Sequence, residues 1–166
     1  NISFNNKAIS DEDDNEVVFY ESDNDWESSL THSNFSSSKM TKIDTCKIDT
    51  LVKNYNLREY MLFIKLDIEG NEIKAIQGGS KIIKEFSPII IIEFSKFIFD
   101  NQENINFLND FLINYNYQIY DTNKKAINMS EIITRINKLT KRHKTIGNYY
   151  LIKKNSRELK LFQMND

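Results

Sequence analysis

At 166 residues the chain has room for one ordinary domain with a sizeable core, and 40% hydrophobic with 28% charged residues excludes a disordered chain. A net charge of −2 excludes a general nucleic-acid binder, which needs a basic surface. The lone Cys46 excludes an internal disulfide, and no Cys/His cluster has zinc spacing, so no metal site of that kind is expected.

A reducing compartment suits this cysteine usage, and a cytoplasmic location is expected. The longest pure apolar run, residues 89–92, is far short of the ~20 residues that cross a bilayer, and no signal peptide is visible. No membrane or nucleic-acid partner is expected. The chain begins at Asn1 and not at Met, so a missing N-terminal segment is expected. Asn, Ile and Lys supply 63 of the 166 residues. They share A/T-rich codons, so Asn-rich or Lys-rich stretches carry little weight as signals.

In chain order, ISFNNKAI (2–9) reads as a short strand and DEDDNE (11–16) as an acidic turn. Val17 to Tyr20 form a second strand, and the polar, Ser-rich residues 21–39 a loop anchored by Trp26 and Leu30. KIDTCKIDT (42–50) fits a strand loosely, with Asp49 as N-cap of a helix carrying Leu51, Val52 and Tyr55. MLFIKL (61–66) is apolar on both faces except for Lys65, which suits a buried parallel strand. A helix from Gly70 carries Ile73 and Ile76; Gly78-Gly79 interrupts it, and Ser80 caps a second turn that ends before Pro88. PIIIIEF is the clearest strand, stopping at Glu93. Then come an amphipathic helix over 102–115, a strand over Tyr117 to Tyr120, a helix capped by Asn128 with Glu131 three residues on, and a strand over NYYLIKK (148–154). Alternation of this kind defines an α/β sheet, mostly parallel and covered on both faces. The pair 61–66 and 88–94 is expected to be adjacent and parallel, and strand 148–154 to pair antiparallel.

Ligands of open parallel sheets bind beyond the carboxyl ends of the strands. Asp67 and Glu69 follow one such strand and Glu93 closes the next, so the three carboxylates are expected to share a cleft. An extended backbone would point Asp67 and Glu69 the same way. Clustered carboxylates supply a general base or hold a hard divalent cation. The plain alternative is that Asp67 or Glu69 caps the next helix, with Glu72 complementing its dipole and Gly70 permitting a tight turn.

IDTL (48–51), FIKLDIEGNEIKAIQGG (63–79) and SPIIIIEFS (87–95) resemble the core of the FkbM-type methyltransferases. KAISDEDDNEVVFYES, ESSL (27–30) and NYYLIKK resemble its flanks, so the likeness covers most of the chain and is most specific over 48–95. The resemblance implies a class I methyltransferase with a seven-stranded Rossmann-like sheet that uses S-adenosylmethionine. ISFNNKAIS would be its third strand, MLFIKL the fourth, PIIIIEF the fifth, and YQIY and NYYLIKK the last two. It also implies an adenine side near Ala8, Ser10 and Asp11, and Asp67, Glu69 and Glu93 beside the methyl group and the acceptor, a small hydroxylated or sugar-like molecule. The first two strands and the glycine-rich cofactor loop are missing: no G-x-G occurs, and no glycine precedes Gly70. The expectation is therefore one methyltransferase-fold domain over 1–166, incomplete at its N-terminus. Such a fragment would be inactive alone and would self-associate through an open sheet edge. A non-catalytic interaction module with the same half-fold is the alternative.

Other candidates read more plainly. His32 and His143, the two histidines, lie in a loop and in RINKLTKRHK (135–144), whose five basic residues fit a solvated helix face or an anionic partner. Ser28 and Ser29 have no histidine at a readable spacing for a hydrolase. Phe94, Phe97 and Phe99 fit packing better than a stacking platform, and Trp26 either pins its loop or lines a pocket.

Overall fold

The polar, acid-rich stretch up to Tyr55 and the isoleucine-rich stretch after it form two units, Asn1–Tyr55 with Ile68–Lys81 and Asn56–Asp67 with Ile82–Asp166. The structure is a computed structural model that describes residues 2–22, 29–30, 38–140 and 144–164.

In the first unit, β1 (Ala8–Ile9) pairs in parallel with β4 (Thr45–Cys46), and β2 (Val17–Ser22) pairs antiparallel with β3 (Ser38–Ile43). Helices α1 (Ile48–Val52) and α2 (Glu72–Gly78) complete it. The strand expected over 2–9 shrinks to two residues. Ile2 and Phe4 are 81% and 95% exposed, so the alternation that suggested a strand there buries nothing. The acidic turn is a clasp. The Asp13 carboxylate accepts from Lys47 N and from Thr50 Oγ1, and the Thr45 hydroxyl bridges Glu12 O and Asp14 N. These bonds hold the Asp13 carboxyl below the usual carboxylate range, with the Lys47 amide as the largest cause. Asp49 is not the cap of α1. It sits in the first turn of α1, Lys47 occupies the cap position, and the Asp49 carboxylate accepts from Lys81 N.

The second unit is built on a five-stranded sheet. Its strands are β5 (Phe63–Leu66), β6 (Ile89–Ser95), β7 (Tyr117–Tyr120), β8 (Ala126–Ile127) and β9 (Thr145–Lys153), in the order β5-β6-β9-β7-β8. β5 and β6 are parallel, as expected, and β9 runs antiparallel to both of its neighbours, β6 and β7. Helices α3 (Ser80–Phe86), α4 (Lys96–Phe99), α5 (Gln102–Asn114), α6 (Met129–Asn137) and α7 (Arg157–Met164) connect or follow these strands; the first two residues of α3 belong to the first unit. Pro88 stops α3 because it cannot continue the helical ladder, and Ser87 turns the chain with φ 53. The Asn128 side chain accepts from Glu131 N, the expected cap of α6.

Period-2 alternation sorts the sheet's side chains. Ile90, Ile92 and Phe94 of β6, with Tyr149 and Leu151 of β9, bury one face; Phe94 stacks on Tyr149 at 5.1 Å and meets Phe99 of α4 edge-on at 5.4 Å. Ile89, Ile152 and Tyr120 on the other face pack against Leu159 and Phe162 of α7. Both faces are covered, as the sequence pattern implies. Two expectations fail: the sheet is mixed and not mostly parallel, since β5–β6 is its one parallel pairing among the described residues, and β5 is not buried on both faces. It ends the strand order, pairs with β6 alone among the described residues, and leaves Phe63 61% exposed. An all-apolar strand says nothing of its place in the strand order, and an edge strand lacks one of the two neighbours that would cover it.

Candidate active site at the carboxyl edge of the sheet

In the second unit, the parallel register pairs Lys65 with Ile91 and Leu66 with Ile92. One step further along both strands sets Asp67 opposite Glu93. Their carboxylates offer oxygens within 4.8 Å of each other. The Lys65 ammonium holds Asp67 Oδ2 at 2.6 Å, two residues back along the same side of the strand. On the other side of β6, Glu93 is the cross-strand partner of Asn148, and the register shifts between Glu93 and Ser95. Bulges of this kind recur beside active sites because they re-aim side chains. Asn148 Oδ1 and Ser95 Oγ are buried with no hydrogen-bond partner among the described residues. Buried polar atoms in native proteins are nearly always satisfied by protein, water or ligand. The edge therefore carries two carboxylates that can take a proton and, on the strand next to Glu93, an acceptor that needs a donor.

Glu69 belongs to the first unit. The backbone is not extended there: Glu69 is left-handed with φ 50 and Gly70 has φ 99, so the alternation expected to align Asp67 with Glu69 stops at the strand end. Glu69 O accepts from Ser29 Oγ at 2.7 Å. The cap position of α2 is Asn71, with no side-chain cap hydrogen bond, and Glu72 in the first turn is buried at 1% exposure. Its carboxylate accepts from Ile68 N and Gly70 N, closing the turn from below. Asn71 is buried too. Its Nδ2 donates to Ile9 O at 2.6 Å, while its Oδ1 has no partner among the described residues.

The same unit holds the residues expected on the adenine side. Ala8 N donates to Asp44 O and Ser10 N to Cys46 O, so these amides serve the parallel pairing. Ser10 is buried and its hydroxyl donates to Asp11 Oδ1; Lys74 of α2 sits 3.8 Å from the same oxygen. Gly78 makes this corner possible, because a Cβ there would lie 2.1 Å from Ser10 O.

Trp26, Ser28, His32 and His143 lie outside the described residues. Phe94 and Phe99 are packing residues, as expected. In the basic stretch, Arg135 donates to the Tyr149 hydroxyl at 2.9 Å. Sequence reading missed Asn148, Ser95 and Asn71. The signal for Asn148 is a poor strand former inside a β-rich segment, and 21 asparagines in the chain hide it.

A mixed α/β sheet whose parallel strands end in opposed carboxylates defines an α/β protein with its candidate site at the carboxyl edge. The sequence model of the Methyltransferase FkbM domain matches residues 2–119. The chain belongs to that family. Neither the curated proteins nor the solved structures give a match to it. The matched segment ends inside β7, so β9, which lies between β6 and β7, and with it Asn148, come from beyond it. Among the described residues, no helix is long and apolar enough to cross a membrane.

Proposed function

We propose that the chain is the C-terminal part of a class I methyltransferase domain that transfers a methyl group from S-adenosylmethionine to a hydroxyl of a small, sugar-like acceptor. The observation that carries this reading is the Asp67–Glu93 pair at the carboxyl edge of a chain in the FkbM family. The strand order supports the class I part. With β5 and β6 as fourth and fifth strands and β7 and β9 as the last two, the final strand enters antiparallel between its predecessors.

The residues present fit one end of the cofactor. Asp11 can accept from an adenine amino group through its second oxygen, and the buried Asn71 Oδ1, without a partner among the described residues, can accept from a second donor. The glycine loop and ribose-binding acid of the resemblance are not among these 166 residues. When bound, the cofactor supplies an electrophilic sulfonium methyl. Asp67 or Glu93 would take the acceptor hydroxyl's proton as the O–CH3 bond formed and the S–CH3 bond broke, the cofactor leaving as its neutral thioether, and Lys65 beside Asp67 would orient that carboxylate. Asn148 Oδ1 accepts from a neighbouring hydroxyl of the same acceptor, fixing its approach. Glu69 is the third carboxylate assigned to the reaction.

The test joins residues 1–166 to the preceding segment of an FkbM relative and follows radiolabelled methyl transfer to a panel of methyl glycosides. Asp67→Asn and Glu93→Gln are expected to lower transfer by about 10²–10⁴-fold, the usual loss of a general base, with unchanged melting temperature. Glu69→Gln measures the share of the third carboxylate. Full transfer by the Asp67→Asn, Glu93→Gln double variant would overturn the reading.

A further inference from the structure

A cavity of about 440 Å³ opens at the edge of the second unit's sheet opposite Asp67 and Glu93. It lies at Tyr117, the first residue of β7, and Lys154, just past the end of the antiparallel β9, whereas Asp67 and Glu93 end their strands at the other edge. Its volume falls within the roughly 300–1,000 Å³ of small-molecule sites. We propose that this cavity binds a small anionic sugar, a hexuronate or a hexose phosphate, at a site separate from methyl transfer.

Three features of the lining set this ligand class. One wall is apolar: Leu112 and Ile113 of α5 and Met129 of α6 line it, with Ile113 76% exposed. That surface suits the C–H face of a pyranose ring. The walls carry two side-chain amides, Asn109 from α5 and Asn116 from the turn before β7, while the Asn128 oxygen is taken up by Glu131 N and Ser130 Oγ. A primary amide donates and accepts at once, which matches hydroxyls that do the same. The charge is one-sided. Among the described residues, Lys154 is the single cation of the lining and no carboxylate joins it, in a chain with 24 acidic residues. No ion pair involves Lys154 among the described residues, and its backbone N–H is tied to Asn116 O at 2.8 Å, which fixes that rim. A lysine ammonium, two amides and an apolar wall together select a polyol bearing a carboxylate or phosphate over a neutral sugar.

The experiment is calorimetric titration of the full chain at low salt with D-glucuronate, D-glucose 6-phosphate and D-glucose. The expected result is saturable binding of both anions at millimolar concentration or below, with glucose at least tenfold weaker. Lys154→Ala should bring the anions down to the affinity of glucose. Ile113 is 76% exposed at the cavity rim, so Ile113→Trp should block all three sugars while the melting temperature stays the same. Asp67→Asn should bind all three as the parent chain does, which separates this site from the methyl-transfer reading. No saturable binding of either anion, equal affinity for glucose, or anion binding indifferent to both Lys154→Ala and Ile113→Trp would overturn the proposal.

Discussion

The Asp13 and Glu72 carboxylates, read from the sequence as loop and helix-end charge, are the fasteners of the first unit. Asp13 accepts from the Lys47 amide and the Thr50 hydroxyl, and these bonds lower its proton affinity in the folded chain. A carboxyl lowered on folding contributes stability that is present above its unfolded pKa and lost as pH falls through the folded value. Asp13→Asn is therefore expected to lower the melting temperature at neutral pH, and the difference should vanish well below pH ~4, the ordinary aspartate value. A difference that persisted undiminished in strong acid would remove the carboxylate from the explanation. Glu72 is a different case because it is itself buried and accepts from two half-buried amides, Ile68 N and Gly70 N. Each orphaned buried amide costs about 1–3 kcal/mol. Glu72→Ala should show a loss of that order or more in chemical denaturation, and Glu72→Gln, which keeps one acceptor oxygen, a smaller one. Equal losses would mean that packing, not hydrogen bonding, is what Glu72 supplies.

Elements were legible where a local rule was strong. Four consecutive isoleucines after Pro88 gave β6, the apolar stripe of residues 105–112 gave α5, and the Asn128 cap gave the start of α6. Three elements escaped for a common reason. α4 has four residues, β8 has two, and α7 has Leu159, Leu161 and Phe162 as its large apolar residues besides Met164. Their partners are set by the sheet, not by their own periodicity: Phe162 rests on Tyr120 and Tyr150, which lie 12 or more residues away in the chain. The site divides the same way. Asp67 and Glu93 were visible as acids at strand ends, whereas Asn148 gains meaning only when β9 is seen beside β6. Gly78 belongs at this scale too. It reads as a helix interruption, yet it lets α2 approach the end of β1 at a distance no side chain tolerates. Gly78→Ala must push Ser10 O away, and forced shifts of this kind cost about 1–3 kcal/mol. The midpoint of denaturation should fall accordingly, while Gly147→Ala, where a Cβ meets nothing within 4 Å, reports only the strain of its φ of 89. An unchanged midpoint for Gly78→Ala would show that the corner is more pliant than its geometry.

For the whole molecule, the proposed function makes one demand on cofactor binding: Asp11 and Asn71 are the candidate contacts to the adenine end, and the glycine loop and ribose-binding acid of the family resemblance are not among these 166 residues. Charge-assisted hydrogen bonds are worth roughly 1.5–3 kcal/mol each, and each ~1.4 kcal/mol is a tenfold change in affinity. Losing the contacts to the ribose and carboxypropyl groups should thus weaken binding by several orders of magnitude. Residual recognition through Asp11 and Asn71 would be too weak to saturate. The measurement is calorimetric titration of S-adenosylmethionine into residues 1–166, and into the same chain carrying the preceding segment of an FkbM relative. The account predicts no saturable binding up to millimolar cofactor for residues 1–166, and saturable binding for the extended chain; micromolar binding by residues 1–166 alone would contradict it.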